Sequence, residues 1–139
     1  MSKRAFRPFV VLAAIALGVL PAHPAMARDV IVDPSGIPVP WSKDREATPD
    51  EIGRAIVKAC GARGWSCRIE KPGSIRAVLH VRRHMAESRI DYDTKTYSIT
   101  YVDSRELDYD PTTRKIHRKY NGWINNLIAD INEAIAAIP

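Results

Sequence analysis

Three histidines follow residue 27 in this 139-residue chain, His80, His84 and His117, and Met85 stands beside His84. Imidazole nitrogen with thioether sulfur is a donor set that suits copper, and imidazole alone suits zinc. On a single strand, His80 and His84 would share a face but lie about 13 Å apart, too far for one ion. A metal site therefore needs the fold to bring His84 and His117 together, and a small Cu- or Zn-handling protein is the alternative reading. In the preferred one, His117 makes hydrogen bonds near the first turn of the last helix. Ser98 and Ser104 lie close to Asp103 in sequence, but neither serine stands in the G-x-S-x-G turn that exposes a nucleophile. Asp108 and Asp110 flank Tyr109 and read as solvated turn residues. No catalytic residue and no cofactor is assigned, so the expectation is a non-enzymatic protein.

The N-terminus bears on which chemistry is available. Lys3, Arg4 and Arg7 precede an apolar run, Phe9 to Leu20, broken only by Gly18; Pro21 and Pro24 follow, then Ala25-Met26-Ala27. This is the layout of a cleavable secretory signal, cut before Arg28. Twelve residues at about 1.5 Å rise cannot cross a hydrocarbon core about 30 Å thick, so a membrane anchor is not expected. The reading is residues 1–27 signal peptide, 28–47 an extended Pro-rich arm and 48–139 a single domain, soluble in the periplasm with no transmembrane segment. The chain has 21 basic and 16 acidic residues; three of the basic ones lie in the signal, leaving 18 against 16. Nucleic acid is excluded, because it calls for a concentrated basic face.

The elements that must position these residues follow from spacing. In the arm, Pro34, Pro38 and Pro40 surround one strand-like stretch, Val30-Ile31-Val32, and Trp41 should pin the arm to the body. Thr48-Pro49-Asp50-Glu51 is a capping box with proline at the first helical position. Ile52, Ala55, Ile56, Ala59 and Cys60 then give an apolar stripe. Alternating runs predict strands from Trp65 to Lys71, from Ile75 to Arg82, around Ile90 and Tyr92, and from Thr96 to Asp103, with Pro72-Gly73 and Asp93-Thr94-Lys95 as turns. A polar loop, Ser104 to Thr113, leads to a last helix whose stripe runs through Ile116, Tyr120, Trp123, Ile124, Leu127, Ile131, Ile135 and Ile138, with Gly122 a place for a slight kink. The expected fold is α+β in two layers, α-β-β-β-β-α, a four-stranded antiparallel meander covered on one face by two helices.

Cys60 and Cys67 are the only cysteines. Export would place them where disulfides persist. Cys60 ends the inward stripe of the first helix and Cys67 lies on the inward face of the first strand, so a Cys60–Cys67 bridge is favoured. Two buried thiols packed as small hydrophobes are the alternative. On the other face of the sheet, Arg68, Arg76, His80, Arg82 and Arg89 are interleaved with Glu70, Glu87 and Asp91. Cross-strand ion pairing is the first reading of that face, and an anionic ligand or acidic partner is the second. The aromatic residues Trp65, Tyr92, Tyr97, Tyr101, Tyr120 and Trp123 fall mostly on inward positions, which favours a core role over a carbohydrate platform.

Arg63-Gly64-Trp65, Pro72-Gly73, Arg82-Arg83-His84, Tyr97-Ser98-Ile99-Thr100-Tyr101 with Asp103-Ser104, Leu107-Asp108-Tyr109-Asp110, Ile116-His117 and Tyr120-Asn121-Gly122-Trp123-Ile124-Asn125-Asn126-Leu127 form a set. In these the chain resembles a group of small exported proteins and lipoproteins of Gram-negative bacteria that have no assigned activity. The resemblance implies location and fold. The chain departs from it in lacking a lipid-bearing cysteine and in having Glu106 where Asn is expected. Because Arg82, His84 and Asn121 belong to the shared pattern, they are the first candidates for contacts, and His117 joins them through His84. The functional expectation is a periplasmic binding or interaction domain whose partner is an envelope protein or an anionic ligand.

Overall fold

The structure is a computed structural model and describes residues 26–40 and 45–139. Trp41 and all of the expected signal but Met26 and Ala27 lie outside the described residues. The elements run β1 (Arg28–Val30), β2 (Ile37–Pro38), α1 (Pro49–Ala62), β3 (Trp65–Lys71), β4 (Ser74–Val81), β5 (His84–Tyr92), β6 (Thr96–Arg105), β7 (Lys115–His117) and α2 (Lys119–Ala136).

The first helix starts where its capping box directs. The Thr48 hydroxyl accepts the Glu51 N–H, and the Glu51 carboxylate accepts the Thr48 N–H at 2.8 Å. Its stripe, Ile52, Ala55, Ile56, Ala59 and Cys60, is buried, as is Gly53. The chain then leaves through Gly64 at a φ of +79°, a conformation that glycine adopts without steric cost. β3 to β6 form the meander that the alternation predicts, every neighbour antiparallel. Both helices pack over one face; Ile75, Ala77, Ala86, Ile90 and Ile99 from the sheet meet Ile52, Ile56, Ile124, Leu127, Ile131 and Ile135 from the helices in one core. Fully burying an aliphatic side chain of this size contributes about 1.5–3 kcal/mol, so the pairing of the two stripes with the sheet is the main source of stability.

Tyrosine hydroxyls finish the core at its edges. Buried Ser88 and the Tyr120 hydroxyl share a hydrogen bond of 3.0 Å, and the Tyr97 hydroxyl donates to Asn132 Oδ1 at 2.7 Å. Burial pushes both phenols to higher pKa, so they serve as neutral hydrogen-bonding groups. The bridge between Cys60 and Cys67 is formed, with Cα atoms 6.0 Å apart. It ties the end of α1 to the third residue of β3.

The arm departs from expectation. It does not stop at one strand-like stretch but supplies two short strands. β1 pairs with β7, and β2 adds a fifth strand to the sheet, giving the order β2-β6-β5-β4-β3. Pro38 sits in an edge strand, where a missing N–H costs no ladder bond. Between the two strands the Ile99 N–H bonds to the Pro34 carbonyl, and Asp33 accepts the Tyr101 N–H and the Arg114 guanidinium. Ile31 and Val39 are buried by this docking. Four further readings are corrected. Ile116 is on β7 instead of the last helix, and α2 begins at Lys119. β6 runs on to Arg105, so Ser104 is strand, not loop. Trp123 packs half-buried at the margin of the core instead of anchoring its centre. Finally, Ile138 lies beyond the end of α2, which closes at Ala136.

Candidate functional site

His80 and His84 are on different strands, which corrects the expectation that they share one. His80 faces Met85 across the β4–β5 ladder, while His84 faces Val81 next to the two-residue turn Arg82-Arg83. Since side chains alternate along β5, His84 and Met85 point to opposite faces. The imidazole–thioether pair therefore does not form at His84.

The fold does bring His84 and His117 together. Their ring centroids are 6.2 Å apart. Three connections hold them: β5 carries His84, the segment after β6 passes beside it, and β7 returns His117 against that segment through a His117 N–H to Leu107 carbonyl bond of 2.8 Å. His84 Nδ1 is 2.6 Å from the Glu106 carbonyl oxygen. A carbonyl only accepts, so Nδ1 carries the proton and Nε2 is the bare nitrogen of the neutral ring. The opposite holds at His117. Its Nδ1 accepts the Lys119 N–H at 3.2 Å, satisfying one of the N–H groups that a helix start leaves without an intrahelical partner; in the neutral ring the proton is then on Nε2. This is the helix-start hydrogen bond expected of His117. Burial, and after it the charges of His84, Lys119 and Arg118, hold the His117 pKa below the ordinary histidine value, with Asp108 opposing.

The tautomers decide what the pair can bind. A metal ion takes a bare ring nitrogen. His84 offers one at Nε2. His117 offers a donor, and coordinating a metal there requires loss of the Nε2 proton or of the Lys119 bond. The two rings thus supply one metal-competent nitrogen and one N–H donor. Among the described residues no group of three or more His, Cys, Asp or Glu side chains is placed to hold an ion.

Arg82 lies at φ +55° in the exposed turn before His84. Asn121 is engaged by the arm. Its Nδ2 donates to the Val30 carbonyl at 2.9 Å and its Oδ1 accepts the Val32 N–H at 3.1 Å. Both ends of the amide are thereby committed to the arm, prolonging the β1 pairing with a side chain in place of a strand. Glu106 is at φ +56°, a left-handed conformation that Asn tolerates better than Glu. That accounts physically for Asn being the expected residue there.

The arginines divide into two groups. On the outer face of the sheet Arg68, Arg76 and Arg89 stand opposite one another across β3, β4 and β5, an arrangement in which like charges repel. Arg76 is bidentate on Glu87 at 2.7 and 2.8 Å, and Arg89 is 2.8 Å from Asp91, so this face is mostly ion-paired within itself. Elsewhere Arg45 pairs with Glu51, Arg63 with Asp130 and Arg114 with Asp33. Around the two histidines the pattern reverses. Arg82 is in the adjoining turn, Arg118 follows His117 and Arg28 faces His117 on β1, while Arg105 faces Met85 on the side of the sheet away from His84. Among the described residues Arg82, Arg105 and Arg118 form no ion pair. Arg28 reaches the Asp108 backbone oxygen and, after the Thr113 hydroxyl and the Thr112 N–H, its charge helps to hold the Asp110 pKa down; Arg83 is a loose 3.9 Å from Glu106. Sequence reasoning missed Arg28 and Arg118. By spacing Arg118 belongs to the last helix and Arg28 to the arm, and only the pairing of β1 with β7 sets Arg28 beside His117 and turns Arg118 out of the helix.

Comparison with family models, with curated proteins and with solved structures finds no match to this chain.

Proposed function

We propose that this chain is an exported, non-enzymatic binding domain that meets an acidic partner at its His84–His117 end. One observation carries the reading: Arg82, in the turn before His84, and Arg118, next to His117, form no ion pair, whereas Arg45, Arg63, Arg76, Arg89 and Arg114 are each held by a carboxylate. Structural ion pairing accounts for those five and leaves Arg82 and Arg118 unexplained. Unneutralised charge at one end attracts and orients an oppositely charged partner. The Cys60–Cys67 bridge and the absence, among the described residues, of a helix long and apolar enough to cross a membrane agree with export. So does the family resemblance.

The test is an amide-resolved NMR titration with an oligoglutamate peptide. Shifts are expected at residues 82–85, 105–106 and 117–119, and they should weaken with salt over a Debye length of about 10 Å at 0.1 M. Shifts at the Cys67–Pro72 end of the sheet, or none, would refute the placement. Export is tested separately by intact mass, which should give Arg28 as the N-terminal residue; retention of Met1 to Ala27 would refute it. The second reading, a Cu or Zn site, is favoured by the approach of the two rings and opposed by the His117 tautomer. It requires Zn or Cu to raise the melting temperature and His84→Gln and His117→Gln each to abolish that rise.

A further inference from the structure

We propose that His80 and Met85 form a two-donor site for a soft monovalent metal ion, copper(I) or silver(I), on the open face of the sheet. The site is independent of the acidic-partner reading and of the His84–His117 pair.

Met85 is only 7% exposed, yet among the described residues it is the one buried apolar side chain that lies outside the core. Its place in β5 explains this. Ala86, Ser88 and Ile90 turn toward the helices, so Met85 faces away from them, on the side of the sheet that no helix covers. Directly across from it stand His80 on β4 and Arg105 on β6, the side chains placed to shield its thioether. The ladder brings His80 as close as a sheet allows. Val81 and His84 close the two-residue turn Arg82-Arg83 as a hydrogen-bonded pair. Pairs alternate in an antiparallel ladder, so His80 and Met85, the next pair, are of the non-hydrogen-bonded kind. Their Cα atoms are then about 4.5 Å apart, with the side chains nearest each other.

The pair supplies one nitrogen and one sulfur. Neither ring nitrogen of His80 is hydrogen-bonded to a described residue, so either one can be left bare for a metal. At His84 and His117, by contrast, one nitrogen of each ring is already committed. Thioether sulfur is a soft donor that selects copper(I) over harder ions. Filled-shell monovalent ions are satisfied by two donors in line, whereas zinc calls for four ligands. Charge favours the same choice. Arg105 opposes a cation, while Glu87 and Asp103 face each other one row along the same side. Arg76 already holds Glu87, which leaves Asp103 as the offset, so one positive charge is tolerated more readily than two. Cys60 and Cys67 are joined, and no free thiol competes for a soft ion.

Silver(I) is the probe, because it needs no reductant and so leaves the disulfide intact. The purified protein, with isotope-labelled methionine methyl groups, is titrated with silver nitrate in chloride-free buffer at neutral pH and followed by NMR. The Met85 signal is assigned by its loss in Met85→Leu, a substitution that nearly conserves volume. The Met85 methyl and the His80 ring signals should shift together and saturate at one equivalent. His80 is exposed, so His80→Gln keeps the fold, and it should weaken binding more than about tenfold. Losing one of two donors is at least as costly as losing an outer-shell partner of a metal ligand. Met85→Leu should abolish the His80 shift, and His84→Gln should leave the affinity for silver unchanged. Zinc nitrate should leave the Met85 methyl signal in place. The proposal is overturned if silver does not move that signal. It is also overturned if the signal moves with equal affinity in His80→Gln, which means binding by the thioether alone. Loss of the shift in His84→Gln would assign the ion to the other histidine pair, and a zinc shift of equal affinity would contradict a soft-ion site.

Discussion

Gly53 lies inside α1, where replacing glycine by alanine ordinarily stabilises a helix by about 1 kcal/mol. Here the effect should be reversed. Gly53 is buried, and a Cβ at that position would run into the Tyr92 hydroxyl oxygen, with Tyr92 Cζ at 3.0 Å and Ile69 Cδ1 at 3.3 Å. Tyr92 is itself buried on β5, and Gly53 lies between it and Ile69 of β3, so a methyl group can be admitted only by moving α1 off the sheet or by turning Tyr92 out of its place. Overpacking of this kind costs about 1–3 kcal/mol. After the propensity gain is subtracted, Gly53→Ala should lose up to about 2 kcal/mol, which in a domain of this size lowers the melting temperature by up to roughly 15 °C. Gly122 is the internal control. It is also within a helix, but a Cβ there meets nothing within 4 Å, so Gly122→Ala should raise the melting temperature by roughly 4–8 °C. Thermal unfolding followed by circular dichroism measures both. Tyr92→Phe removes the oxygen that a Cβ would strike, so in the double variant the loss from Gly53→Ala should shrink by about 1 kcal/mol, a coupling typical of residues in contact. A Gly53→Ala protein that melts at or above wild type would refute the close packing of α1 on Tyr92. Additive losses in the double variant would show that the clash lies elsewhere.

Three other outcomes are expected. Glu51 takes hydrogen bonds from the Arg45 guanidinium and the Thr48 N–H, which hold its pKa at about 2. A carboxyl depressed on folding stabilises above its unfolded value, about 4.3, and loses that contribution as pH falls through the folded value. Glu51→Gln should therefore flatten stability against pH between about 4.3 and 2, and an unchanged acid limb refutes the capping-box assignment. Asn121→Ala should cost about 1–2 kcal/mol, the worth of two neutral hydrogen bonds, and should speed amide exchange at Val32 while sparing Ile90; equal exchange at Val32 would show that the amide does not hold the arm. Reduction of Cys60–Cys67 reopens an eight-residue loop and should lower stability by about 2.5 kcal/mol, with no thiol reacting in unreduced, denatured protein. Two reactive thiols per chain contradict the bridge.

What the sequence made legible was whatever local spacing governs. The capping box at Thr48, the stripe of α1, the alternation in β3 and β4 and the Cys60–Cys67 pairing are each set by residues close together, and each is found where the pattern put it. Illegible parts depend on partners distant in sequence. Ile116 is four residues before Tyr120, a spacing that fits a helix; only the pairing of Asp29 with Ile116 makes it a strand residue. The ladder between β5 and β6 shifts register between Glu87 and Ser88, so that Tyr101 faces Ser88 while Asp103 faces Glu87. Two residues of equal parity thereby lie on opposite faces, and alternation beyond Tyr101 no longer reads correctly. The same dependence hid the site. His84 and the Arg82 turn were recognisable as a pattern, but the approach of His117 and Arg118 is made by a three-residue strand that has no periodicity of its own.

Placed at the margin of the sheet, the Cys60–Cys67 bridge has a consequence for how copies of this chain can entangle. β3 is a terminal strand and pairs only with β4, so it is a strand that could be peeled away and lent to a second molecule. Exchange of an element between protomers requires the connection before it to swing open as a hinge. Here that connection, Gly61 to Ser66, is closed into a covalent ring whose other side is the last turn of α1. β3 can leave its own sheet only if α1 goes with it, and α1 is buried against α2 and Tyr92. The crosslink therefore acts on assembly as much as on stability: it turns a strand that could trade places between neighbours into one that stays with its own chain for as long as the sulfurs remain joined.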